Sequence, residues 1–132
     1  MARPATDATA LNKQVAEGFL RLAGSEHKPR EAYARYVGPT FVHHNPGFGG
    51  SREDLLLAME ASAKENPGQI LDVKHVLAEG DLVAVHSHVR PRPKDRGLAV
   101  VHLFRIEGGK IVEFWDVGQL LPARSPNANG MF

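Results

Sequence analysis

The chain has 132 residues, with Lys+Arg 16 against Asp+Glu 15 and a formal net charge of +1. That balance gives no bias toward nucleic acid or other polyanions, and the absence of cysteine excludes disulfides and thiol chemistry. A chain of this size buries roughly two thirds of its unfolded surface, enough for one core and one ligand-sized pocket.

The first residues, MARPATDATA, carry no apolar signal core, and no run approaches the roughly 18 apolar residues of a membrane span. A cytoplasmic protein with no membrane partner is the expectation. Residues 1–10 read as a loose tail and 11–132 as one domain. Leu11, Val15, Phe19 and Leu22 recur at helical spacing and predict a first amphipathic helix ending near Gly24. Pro29 suits the first turn of a second helix, which carries Tyr33 and Val37 on one face and stops at Gly38-Pro39. TFVHHNPGFGG then runs as an extended piece into a Pro/Gly loop. Ser51-Arg-Glu-Asp54 resembles a capping box with Asp in place of Glu, opening a third helix that Asn66-Pro67-Gly68 closes.

From residue 69 the pattern turns to strands. QILDVKHVLA and LVAVHSHVR flank Glu79-Gly80, and LAVVHLFRIE and KIVEFWDVGQ flank Gly108-Gly109. Helices first and an antiparallel meander afterwards indicate α+β, with N-terminal helices packed on a curved antiparallel sheet.

The last hairpin is the most informative segment. A three-residue loop, Gly108-Gly109-Lys110, pairs Ile106 with Val112, Phe104 with Phe114 and His102 with Asp116, all on one face. The other face pairs Arg105 with Glu113 and Leu103 with Trp115, and the charge pair favours that register. A two-residue loop would slip the pairing and set His102 against Trp115. A carboxylate on an apolar wall beside an imidazole suits proton transfer to or from a carbonyl compound; a satisfied structural His–Asp hydrogen bond is the alternative.

Other candidates compete with this pair. His86 and His88 share a strand face about 7 Å apart, a spacing at which two imidazoles can converge on a metal with a third ligand such as His44 or His102. Two pocket or rim histidines would give the same pattern. Neighbours in a strand point opposite ways, so at most one of His43 and His44 faces a pocket, while His27 and His75 read as surface residues. Tyr33 could reach a substrate carbonyl or sit in the core with one hydrogen bond. Arg90, Arg92, Lys94 and Arg96 read as a solvated loop. Val101, Leu103 and Trp115 form an apolar outer face suited to packing between two subunits or under the C-terminal tail.

HNPGF, AEGDLVAVHSHV, HLFRIEGGKIVEFWDVGQLLP and NANGMF together resemble the SnoaL-like polyketide cyclases of the nuclear-transport-factor-two-like superfamily, over roughly residues 11–132. The resemblance implies a cone-shaped α+β barrel, commonly dimeric, with cofactor-free and metal-free chemistry in an apolar pocket. It implies Asp116 as general acid/base and His102 as its pocket neighbour, with His44, Asn45 and His86 toward the cavity. Phe114 stands where relatives often carry a polar residue or histidine; His88, Phe104, Phe114, Trp115 and Tyr33 complete the expected substrate-binding set. The implied function is aldol-type cyclisation, isomerisation or dehydration of a small hydrophobic carbonyl compound. The alternatives are a non-catalytic binding protein on the same fold and a metal enzyme using His86 and His88.

Overall fold

A computed structural model describes residues 5–132. The expected loose tail falls partly on residues 1–4, outside the described residues. Residues 5–10 instead form the first turns of α1 (Ala5–Leu20), which runs into a π-helical turn, Arg21–Ser25. Next come α2 (Pro29–Tyr36), β1 (Val37–His43) and α3 (Arg52–Glu65). Four strands complete the order: β2 (Ile70–Glu79), β3 (Leu82–Arg90), β4 (Leu98–Glu107) and β5 (Lys110–Leu120).

The local signals act where the sequence places them. Pro29 occupies the first turn of α2, where its missing N–H costs nothing. Ser51 Oγ accepts from Asp54 N at 3.0 Å while Asp54 Oδ2 accepts from Ser51 N at 3.3 Å, closing the capping box. The second helix stops one residue sooner than expected, because Val37 takes an extended conformation and starts β1.

The sheet order is β1-β5-β4-β3-β2. The meander from β2 to β5 is antiparallel, but β1 joins β5 in parallel, so the sheet is mixed and remains open. Among the described residues no helix is long and apolar enough to cross a membrane. The helices cover one sheet face, and Phe19, Tyr33, Phe41, Phe104 and Phe114 interlock there with ring centroids 5.3 to 6.4 Å apart. Tilted and edge-on contacts of this kind suit the ring quadrupoles. Val83, Val85, Ile106 and Ile111 add the aliphatic floor, all essentially buried.

The β4–β5 hairpin reaches the expected register by a different route. Gly108 and Gly109 have φ of 56° and 76°, the two positive values of a tight two-residue turn. Ile106 therefore pairs with Ile111, not Val112. Left alone, that turn would oppose His102 to Trp115. A β-bulge intervenes: Val112 is the extra residue, and beyond it Arg105 meets Glu113, Phe104 meets Phe114 and His102 meets Asp116.

Candidate active site

Asp116 and His102 lie on the helix-facing side of the sheet, at the meeting of two chambers. The larger, about 290 Å³, runs beneath the π-helical turn and is lined in part by Ala23, Gly24, His27, Leu71 and Val100. The smaller, about 220 Å³, is lined in part by Asn45, Phe48, Leu55 and Phe114. Both chambers touch Met59 and Ser62 of α3 and both touch His102 and Asp116. Helix α3 thus roofs an apolar space whose floor carries one carboxylate and one imidazole.

The carboxylate is held by Asn45. Its Nδ2 donates to Asp116 Oδ1 at 3.1 Å and to Oδ2 at 2.9 Å. The amide cannot be turned round, because Asn45 Oδ1 accepts from Gly47 N at 2.8 Å. Asn45 is placed in turn by His43. That ring is only 5% exposed; its Nδ1 accepts from Asn45 N at 3.2 Å and its Nε2 lies 2.7 Å from Gly49 O. A nitrogen that accepts from an amide leaves the other to carry the proton, so His43 is the neutral Nε2–H tautomer donating to Gly49. His43, the HNPGFGG loop, Asn45 and Asp116 form one relay of position.

His102 is held differently. Among the described residues no hydrogen bond joins it to Asp116, and its buried Nδ1 has no partner. The ring stacks on Phe114 at 5.6 Å and Phe104 at 6.3 Å. Burial lowers its pKa to about 4, overriding the opposing pull of Asp116. The imidazole is therefore neutral near pH 7, and its ring lines both chambers.

Several expected positions move. His44 is on the opposite sheet face, stacked on Trp115 at 4.9 Å with Nε2 2.7 Å from Glu113 Oε2. With Arg105 it holds the Glu113 carboxyl below its usual range. His43 is the inward histidine, and strand alternation from buried Phe41 carries that signal. His86 and His88 also face outward, tilted against Phe132 at 5.5 and 4.7 Å. Among the described residues no three His, Cys, Asp or Glu side chains are arranged to hold a metal ion. The outer depression beside His86, about 310 Å³, has no acidic side chain in its lining. Tyr33 belongs to the core, fully buried with an unpartnered hydroxyl whose pKa burial pushes up. Phe104 floors the core, Phe114 lines the smaller chamber and Trp115 lies outside. His27, expected on the surface, lines the larger chamber.

Comparison with known proteins gives the fold a context. No curated protein matches the chain. AclR from Streptomyces galilaeus, a proposed hydroxylase, superposes with a TM-score of 0.69 at 23% identity, covering 84% of this chain and 90% of that one. A proposed isomerase of the SnoaL-like family from Agrobacterium tumefaciens gives 0.69 at 12% identity, covering 83% and 98%. IdmH from Streptomyces antibioticus, a proposed polyketide cyclase, gives 0.65 at 19% identity, covering 81% and 91%. Those superpositions show a shared cone-shaped α+β fold. The model of the SnoaL-like domain matches residues 16–114, well over half of the sequence, and the chain belongs to the SnoaL-like family.

Proposed function

We propose that the protein is a cofactor-independent acid/base enzyme that removes a proton α to a carbonyl in a small hydrophobic ligand. The observation that carries this reading is the Asn45-clamped carboxylate beside a neutral histidine under an apolar roof. Asp116 takes the α-proton, and the electron pair of the broken C–H bond moves into the enolate. The neutral His102 ring, which lines both chambers, is the hydrogen-bond partner for the ligand's oxygen, a use of neutral imidazole that burial favours. In an aldol closure the enolate carbon attacks a second carbonyl of the same ligand, and the resulting alkoxide takes the proton back from Asp116. Isomerisation returns the proton to another carbon, and dehydration expels hydroxide as water. A pocket that folds a flexible ligand supplies the proximity. The structural likeness to a proposed cyclase and a proposed isomerase supports this reaction class.

A homodimer formed through the outer sheet face is part of the same proposal. Val101 pairs with Val117 there, and Val117 is 71% exposed; an apolar patch of this kind suits a second copy.

The test is exchange of the α-protons of 1-tetralone, a bicyclic aryl ketone, into D2O, followed by NMR. The native protein should accelerate exchange, and Asp116→Asn should lose at least about a hundredfold of that acceleration while still binding the ketone. Equal exchange by both proteins would overturn the assignment.

A further inference from the structure

The carboxylate of Asp116 does not stand at the end of a pocket. Asp116 and His102 line both chambers, together with Met59 and Ser62 of α3, so the space continues on two sides of the proposed base. Leu71 and Val100 belong to the wall on one side, Phe48 and Leu55 to the wall on the other. At about 290 and 220 Å³ neither chamber reaches the roughly 300 Å³ at which small-molecule sites begin, and joined they do.

Both sides suit apolar groups. Val100 stands two residues before His102 on the same strand and so shares its face, while Gln69, a polar member of the larger wall, spends its Nε2 on Gly24 O at 3.3 Å. In the smaller chamber Phe48 is 48% exposed. Its chain neighbours are pinned: Gly47 N donates to Asn45 Oδ1 at 2.8 Å, and His43 Nε2 donates to Gly49 O at 2.7 Å. The hydrogen bonds that place the Asn45 clamp therefore also fix the backbone on either side of Phe48. An aromatic side chain held at the chamber wall and left half open gains when an apolar group covers it.

Resting on the proposed acid/base reading, we infer that one ligand fills both chambers at once, with its reacting carbon between them. The substrate class is then ketones that carry one apolar group on the carbonyl and a separate one on the reacting α-carbon. A ketone with all its apolar bulk on one side leaves the other chamber's wall to water. Ala58 and Val100 set this preference, because Ala58 lines the smaller chamber and not the larger, and Val100 the larger and not the smaller.

Two probes test it: 1-tetralone and 2-benzyl-1-tetralone, which share the carbonyl and fused ring and differ by an apolar group on the reacting carbon. Calorimetric titration of the native protein should show the benzyl ketone binding at least about tenfold tighter, the yield of covering one phenyl ring. Added apolar surface alone would give the same gain, so two substitutions decide. Ala58→Leu fills the smaller chamber and Val100→Phe the larger, leucine suiting a helix and phenylalanine a strand. In each variant the ratio should fall to about one, because the phenyl then has no second chamber to enter. 1-Tetralone, which needs one chamber, should still bind at least one of the variants. In the native protein, nuclear Overhauser contacts from the benzyl ketone should reach both Phe48 and Leu71, one in each chamber, a measurement that requires no variant to fold. Contacts to one of these residues alone, a native ratio of about one, or a native-like ratio in either variant would overturn the two-chamber inference. Exchange of 1-tetralone by the native protein and its loss in Asp116→Asn would then leave the acid/base reading standing. Failure of both ketones to bind the native protein would overturn both.

Discussion

Asn45 Nδ2 spans the carboxylate of Asp116, reaching Oδ1 at 3.1 Å and Oδ2 at 2.9 Å from a loop that is remote in sequence. A carboxylate beside an apolar cavity would otherwise rotate, and the contact fixes which oxygen lone pairs point into the chambers. The residue that orients the carboxylate is therefore an amide. His102, its cross-strand neighbour, makes no hydrogen bond to it among the described residues, and in the proposed reaction it faces the substrate oxygen.

Removing that amide should cost rate more than binding. Asn45→Ala is expected to slow α-proton exchange by about ten- to a hundredfold, with KM changed little, because orientation is felt in the transition state. The loss of hydrogen bonds should lower stability by about 1 kcal/mol. Asn45→Asp should act differently: a second carboxylate beside Asp116 raises the pH at which the pair gives up its protons. The rising limb of the pH–rate profile should move to higher pH. Exchange rates measured by NMR across pH for both variants decide the matter, and an unchanged profile in Asn45→Asp would remove Asn45 from the site.

The buried histidine makes stability depend on pH. In the unfolded chain His102 takes up its proton near pH 6.5, while in the folded protein burial delays this to about 4. Between those values the unfolded state binds the extra proton, so stability rises with pH and is lost as pH falls from 6.5 toward 4. The full contribution is about 3 kcal/mol. His102→Gln should flatten the dependence of melting temperature on pH between about 5 and 6.5, a range above the ordinary carboxylate values. A native and variant protein that lose melting temperature in parallel over that range would show that His102 is not buried as described.

How far the sequence displays this site depends on the kind of signal. Helical spacing, Pro29 and the Ser51 cap are local and act as read. The pairing of His102 with Asp116 was also legible, but through a loop the protein does not use. Gly108-Gly109 makes a two-residue turn, and the bulge at Val112 restores the register. The charge pair Arg105–Glu113 carried the true information, since the bulge restores it after the tighter turn, and its Nε–Oε1 distance is 2.9 Å. The parallel pairing of β1 with β5 is non-local, and no turn encodes it. The placement of His27 depends on a left-handed residue after a π-helical turn, which periodicity does not announce. His86 and His88 share a face as their spacing requires, but spacing alone cannot say which face meets the helices.

The adjacent pair His43-His44 offers the sharpest check on that last point, because the two rings lie on opposite sides of the same strand end. His43 is buried, and its two ring nitrogens bond Asn45 N and Gly49 O. His43→Ala should leave a cavity and an unsatisfied loop, lowering stability by about 2–3 kcal/mol. It should also slow exchange through misplacement of Asn45, with the loss approaching that of Asn45→Ala. His44 stacks on Trp115 and bonds Glu113 outside the chambers. His44→Ala should leave exchange within about twofold of native, since exposed ion pairs contribute little and neither of these side-chain partners lines the cavity. Side-by-side exchange and melting measurements on the two variants read the difference directly. A reversed order, with His44→Ala inactive and His43→Ala unaffected, would mean that β1 enters the sheet one residue out of the register described.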